Sequence, residues 1–531
     1  MPSSAGSLAL PRRVLPEWLA GAPLLVLAAL IAWLARWGPD WPAQEFRAWT
    51  AQHFGFTAWT NFWYSGEPLP GYSVLYPFVS GVLGAPLTGL LAVAAATYGA
   101  GTFVPRSSRT LAIAYRLSVG FVLAGDLVIG QVPYLLGVGA GLCALRVMIN
   151  RGPWWLAAGL AALSSLSSPL AGAFVLIAVP ATFVALGWRR TLPLLGAAVG
   201  IGTSALLEGG GGPFPFEING FLSSAAFVGV ALYLTKREDR AVQVLVLTYG
   251  VAALGCAVVA NPIGGNVVRF GQLIALPMFW VLLPRLRVRH RLVALTVILA
   301  SAAWPAEPAI SSVFKGAADP SRSEAFYSGL LGFLKRQPAT TGRLEVVFTR
   351  EHWESLFVAQ KFPIARGWER QTDLEANQVL YKPLTAQAYR TWLDDNAVSL
   401  VALPNAPIDY GGQAEAALLQ KPPGYLVPVW HDANWQVWRV QDAVPLVTGP
   451  ATLSRLGPAS FVLSFQRAGA ATVRIRASGM WSVTTGKGCV SATADQGGWL
   501  VVSTKAPGTV VVRSRVGVAA LSKDDDKARC S

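Results

Sequence analysis

Apolar runs of membrane-spanning length follow one another through residues 1–307 and become sparse beyond that point. A bilayer core needs about 20 apolar residues per helix, and inside it every backbone polar group must be satisfied within the chain. The first 300 residues are therefore confined to a helical bundle in lipid. Eleven spans can be read, at about 19–37, 79–104, 110–129, 132–149, 153–166, 169–188, 191–207, 218–235, 241–260, 267–284 and 291–307. The fifth and sixth meet at a polar corner, Ser164 to Pro169, which suits a tight turn or the kink of a single helix. Charged residues make up only 13% of the chain, about half the share of a soluble protein, which excludes a purely soluble enzyme and a disordered chain.

The net charge is +15, and its placement matters more than its size. With the N-terminus inside, sixteen basic residues between Arg12 and Arg291 fall on the inner side, against Arg36, Arg47 and Arg269 outside. This positive-inside asymmetry predicts a cytoplasmic N-terminus and an extracytoplasmic tail. The run after Arg12 and Arg13 ends at Trp37-Gly38-Pro39 without a small-x-small cleavage site, so it reads as a retained helix. No basic stripe interleaved with aromatics occurs in either half, so a nucleic-acid partner is not expected.

The tail divides in two. Residues 308–445 alternate strand-like and helix-like segments, among them 344–348, 351–360, 386–396, 398–403 and 435–440, as in a small α/β layer. Residues 446–531 carry short alternating strands at 461–465, 472–476, 499–502 and 510–513, as in a β-sandwich, and end in a charged segment, 523–531. Cys143 and Cys256 sit within spans, whereas Cys489 and Cys530 lie in the tail and are candidates for a disulfide. The cysteine and histidine spacing fits no structural zinc site.

Candidate chemistry lies on the outer side, where charge is scarce. Asp40 follows the first span, flanked by Trp37 and Trp41. A partly desolvated carboxylate there could take a proton from a hydroxyl, or it could be the N-cap of a helix over 42–52. Glu45 is the nearest second acid, and Trp63, Tyr64, Tyr72 and Tyr76 could form a sugar-stacking platform or an interfacial belt. Arg269 opens a span beside Gly264, Gly265 and Asn266, where it could grip a lipid-linked phosphate or snorkel to headgroups. Asp126, with Gln131 and Tyr134 nearby, could pair with Arg269 or line a cavity. The glycine-rich loop between Glu208 and Glu217 is a lid or a linker. In the tail, Arg366, Trp368, Glu369 and Arg370 could line a substrate groove or form a surface ion-pair cluster, and His352, one of four histidines in the chain, reads as structural.

Together these outward features resemble the GT-C superfamily of membrane glycosyltransferases. The Trp63 to Pro77 stretch also looks like the Trp/Gly/Tyr-Pro stretch that follows the first loop in bacterial relatives, and the Ala365 to Gln371 segment looks like the tail of actinobacterial membrane proteins of unassigned activity. The resemblance implies a GT-C-like polytopic α-helical protein of the bacterial plasma membrane, with an extracytoplasmic C-terminal α/β and β-sandwich region. It implies transfer of a sugar from a polyprenyl-phosphate donor to a cell-envelope glycan or lipid acceptor. Asp40 would be the general base and Arg269 the phosphate ligand. Asp40 has no Asp-x-Asp partner, so a divalent metal is not favoured. A transporter or flippase and a non-catalytic envelope scaffold are the other readings; the sequence carries no convincing repeat of spans that would favour transport.

Overall fold

The computed structural model describes residues 36, 38–55, 57–69, 72–208, 212–235, 239–283, 291–338, 342–493 and 498–515. The expected first span at 19–37, the glycines 209–211 and the charged end at 523–531 lie, almost wholly or entirely, outside the described residues.

Among the described residues six helices are long and apolar enough to cross a membrane: Arg109–Ile129, Val132–Ile149, Pro169–Leu186, Arg240–Val258, Gly264–Leu282 and Val293–Ala317. A seventh forms if Tyr76–Leu83 and Ala85–Phe103 count as one span. The expected straight span at 79–104 is instead bent by 115°, where Gly84 adopts φ 77° between the two helices. Trp154–Ser167 and Ile218–Leu234 are shorter, and the expected span at 191–207 contains a helix of only 13 residues, Gly196–Glu208. The polar corner is a true turn: Ser168 is extended between two helices, because a residue preceding proline avoids the α region.

The last helix runs from Arg291 to Ala317, ten residues past the expected boundary at 307, although it contains Pro305 and Pro308. Pro308 cannot donate to the carbonyl of Trp304 four residues earlier. The Gln272 amide donates to that carbonyl instead, at 3.1 Å, so the helix continues through the break.

Beyond this helix stands a four-stranded sheet in the order Arg343–Val346, Val398–Pro404, Trp435–Val440, Leu426–His431. The first pair is parallel and the others antiparallel. The helix expected over 351–360 contracts to Glu354–Phe357. Two antiparallel four-stranded sheets follow, packed around Phe461, Leu463, Val473, Trp481, Val502 and Val512. Period-two burial in Ser460–Phe465 gives each sheet one inward face. Cys489 is disulfide-bonded, while Cys143 and Cys256 are free thiols. Cys530 lies outside the described residues.

The segment 58–69, in the loop that precedes the Tyr76–Leu83 helix, fastens these parts together. Trp59 enters the sandwich core, edge-on to Trp481 at 5.6 Å, and Asn61 N–H donates to Pro458 O. Ile364 N–H donates to Phe62 O, and the Trp63 indole donates to Ser355 O at 3.0 Å. Ser65 bonds Asn396 through its hydroxyl and accepts from Arg476 N–H through its carbonyl. One loop of the membrane half is thus held by both tail domains.

Candidate active site

Asp40 occupies the N-cap position of the Trp41–Phe54 helix but makes no capping hydrogen bond. A cap carboxylate accepts from the second or third helical N–H. Here the second residue is Pro42, which has none, and Asp40 itself is already in the α region, at φ −80°, ψ −20°. The carboxylate is therefore left for other work. Its place is fixed by Trp41, whose indole donates to Val128 O at the end of the Arg109–Ile129 helix. Burial raises the Asp40 carboxyl above the usual carboxylate range, opposed in turn by Arg269, Arg370, His352 and Arg47. These four cations come from two halves of the molecule.

Arg269 stands second in the Val268–Leu282 helix. Its approach is built by Asn261, whose side chain accepts from Ile263 and Gly264 N–H at 2.9 Å each. Gly264 turns at φ 45°, and a Cβ there would lie 2.0 Å from Phe214 O, so only glycine fits. The Arg269 guanidinium lies over the Tyr134 ring at 5.7 Å. No hydrogen bond or ion pair engages it among the described residues. Asp126 is within electrostatic reach without forming an ion pair. The Gln131 and Tyr134 side-chain oxygens are buried there without partners.

Arg47 sits two turns along the helix from Asp40, on the same face, and is 1% exposed. It stacks over Tyr72 at 4.8 Å and forms an ion pair with Glu369. Tyr72 feels Asp40, Arg269 and Arg47 together, with burial the main cause of its raised phenol. Tyr72 is thus within electrostatic reach of the acid and of both arginines.

The tail supplies the opposite wall. His352 is fully buried and stacked face to face on Trp368, with ring centroids 3.3 Å apart. Its two nitrogens pair with Glu354 at 3.5 Å and Asp409 at 3.6 Å. Burial pushes the imidazole down, but the two carboxylates outweigh it and hold it above its ordinary value. His352 also has φ 58°, a strained setting for a non-glycine residue, sustained by this packing. Asp409 is kept well below the carboxylate range: burial opposes this, but His352, Arg370 and the Gly411 N–H prevail. Arg370 reaches Asp409 at 3.5 Å and lies over Trp368 at 4.7 Å and Tyr410 at 4.1 Å.

The structure sorts the sequence candidates into three groups. Asp40, Tyr72, Asp126, Arg269, Glu369 and Arg370 converge, with Trp368 as a wall between His352 and Arg370. Trp63, Tyr64 and Tyr76 are packed into the interior. Trp63 stacks on Phe46 at 4.1 Å, Tyr64 OH accepts from Glu369 N–H, and Tyr76 OH donates to Gln44 O. Buried on both faces, they brace the site and leave no open platform for a sugar. Glu45 turns away to Arg36 at 3.4 Å, and Asn266 lies in the 3₁₀ turn before Arg269. Arg366 lines no groove and is no surface residue. It is 1% exposed, doubly bonded to Asp373, and faces Glu345 and Glu415 in the α/β core. The sequence reading gave Arg47 no role beyond its outward charge, took His352 as structural and did not single out Asp409. The seven-residue spacing from Asp40 to Arg47 was the one available signal; nothing local ties His352 to Asp409.

Solved structures similar to this chain include the mycobacterial arabinofuranosyltransferase AftD, with TM-score 0.41 and 11% identity over 94% of this chain and 58% of AftD. The ArnT of Cupriavidus metallidurans gives TM-score 0.38 and 12% identity over 79% of this chain and 97% of ArnT. Its complex with undecaprenyl phosphate gives TM-score 0.39 and 12% identity over 80% and 98%. The chain spans less than two thirds of AftD. No family model and no curated protein matches the sequence.

Proposed function

We propose that this chain is a membrane glycosyltransferase that moves a sugar from a polyprenyl phosphate to a glycan or lipid hydroxyl at the outer surface of the plasma membrane. One observation carries the reading: an uncapped, half-buried carboxylate, Asp40, lies within electrostatic reach of a guanidinium, Arg269, that has no ion pair among the described residues, and the phenol of Tyr72 lies within reach of both. That pairing is what a transfer to a hydroxyl requires. Asp40 accepts the acceptor's proton as its oxygen bonds to the anomeric carbon. The bond from that carbon to the phosphate oxygen breaks on the far side, and Arg269 neutralises the departing phosphate. Arg47 and Arg370, each already paired with a carboxylate, hold the field around the site. No metal is invoked, because the arginines supply the positive charge.

A groove of about 670 Å³ between Ile218–Leu234, Val268–Leu282 and Arg291–Ala317 offers room for the donor's lipid chain. It is lined by Phe227, Val230, Ala275, Phe279 and Trp304, and begins at Val268, one residue before Arg269. The assigned cytoplasmic N-terminus and extracytoplasmic tail follow from the charge asymmetry. The meeting of Asp40 and Arg269 favours an enzyme over a scaffold. The test is transfer from a polyprenyl-phosphate sugar by the purified protein. Activity expected of the wild type and lost in Asp40→Asn supports the reading; an Asp40→Asn protein as active as wild type removes the base.

A further inference from the structure

A second cationic site lies away from Asp40, where the α/β sheet, the sandwich and the first external loop meet. Arg474 and Arg476 alternate along the strand Gly469–Arg476, so both leave the face opposite the sandwich core. Across from them Arg343 begins the strand Arg343–Val346 and is fully buried. Its two terminal nitrogens donate to Asn396 O at 2.9 Å and Arg474 O at 2.6 Å, and its Nε has no partner. Arg474 has two buried nitrogens, Nε and Nη1, also without partners. Arg476 lies over the Trp499 ring at 4.3 Å, with Asp395 the acid within reach.

Among the described residues, Arg343 and Arg474 both carry buried nitrogens without partners, so positive charge beside Arg476 is left without a matching acceptor there. Burial, then Arg476 and Arg474, pushes Arg343 down to about 9. A buried, unpaired donor costs about 1–3 kcal/mol, and more for a charged group, so a cluster of this kind calls for an anion. Planar guanidinium forks suit a tetrahedral oxyanion, which can accept from several N–H groups at once.

We propose that Arg343, Arg474 and Arg476 form a binding site for a phosphate-class oxyanion, separate from the Asp40 site, that locks the sandwich to the α/β domain. The same residues carry the joint: Arg343 bonds Asn396, Ser65 bonds Asn396, and Arg476 bonds Ser65. A bound anion would tie all three pieces.

The experiment is thermal unfolding of the full chain in detergent, titrated with inorganic phosphate against chloride at matched ionic strength. It is run in an Arg269→Gln background, so that the proposed donor-phosphate site is silent. A saturable rise of about 1 °C at tenfold excess over the midpoint is expected. Adding Arg474→Gln or, separately, Arg476→Gln should abolish the rise. Glycerol phosphate distinguishes the source: an equal rise marks an open site for a phosphate carried on a larger envelope molecule, and a rise with inorganic phosphate alone marks an enclosed site for the free ion. A rise that does not saturate, or that persists in both added variants, overturns the proposal.

Discussion

At the scale of single residues, Asp40 is set apart by what it does not do. An aspartate ahead of a helix ordinarily caps it; here Pro42 removes one of the two candidate donors and Asp40 itself sits in the α region, and its carboxylate makes no capping bond. Its charge is instead balanced between burial, which favours the neutral acid, and four cations, which favour the base. Asp40→Asn should lower kcat by about 10²- to 10⁴-fold, the usual range for a general base, with donor binding retained. Arg269→Gln should weaken donor binding and kcat together, read from initial rates at varied donor. Activity should rise with pH through a value above the ordinary carboxylate range. His352→Gln removes one of the cations that hold the Asp40 carboxyl down, so this acid limb should move to higher pH. A rate that falls with the limb unmoved would make His352 a packing residue only. Asp40 and Arg269 were legible in the sequence because each is a charge on a side where charges are scarce. His352 and Asp409 were not, because their partnership exists only once the α/β domain has folded.

At the scale of elements, the aromatic-rich first loop shows how a correct reading of composition can miss a role. Its tryptophans and tyrosines suggested a stacking surface or a membrane belt. In the structure Trp59, Trp63 and Tyr64 face inward, into the sandwich, the α/β domain and the Arg366 to Arg370 segment. Aromatics pack a domain joint for the same reason they bind sugars: large area with few rotatable bonds. The closest approach is at Gly367, where a Cβ would lie 2.5 Å from the Trp63 ring. Gly367→Ala should therefore destabilise the fold by about 1–3 kcal/mol through overpacking. It should also reduce transfer, because the same segment carries Trp368, Glu369 and Arg370 into the site. Thermal unfolding beside an activity assay checks both effects; an unchanged melting temperature would mean the segment docks elsewhere. Span boundaries were the least legible elements. Gly84 and Ser168 break helices as their residue types suggest, but Pro305 and Pro308 do not, because Gln272 rescues the carbonyl that Pro308 abandons.

At the scale of the whole molecule, the candidate site is completed by docking. Asp40, Arg47 and Arg269 belong to the membrane half, His352 and Arg370 to the tail, and the 58–69 loop holds the two in register. That joint contains buried acids. Glu67 is pushed up to about 8 by burial, opposed only by Arg47, and one of its oxygens has no hydrogen-bond partner. Glu351 is pushed up to about 7 by burial and by Asp319, against Arg322, Arg350 and His352. For both, the folded value lies above the unfolded one near 4.5, so the folded state binds the proton more tightly. Their contribution to stability is complete below about pH 4.5 and is lost as pH rises through 7 and 8. The melting temperature of the purified protein should accordingly fall between pH 6 and pH 9. Glu67→Gln keeps a neutral side chain of the same shape, so it should flatten the upper part of that decline and raise stability at pH 9. At pH 5, where Glu67 already carries its proton, it should change little. A variant that loses as much stability as wild type between pH 7 and pH 9 would show that Glu67 ionises without cost, and that the joint between the membrane half and the tail is open to water.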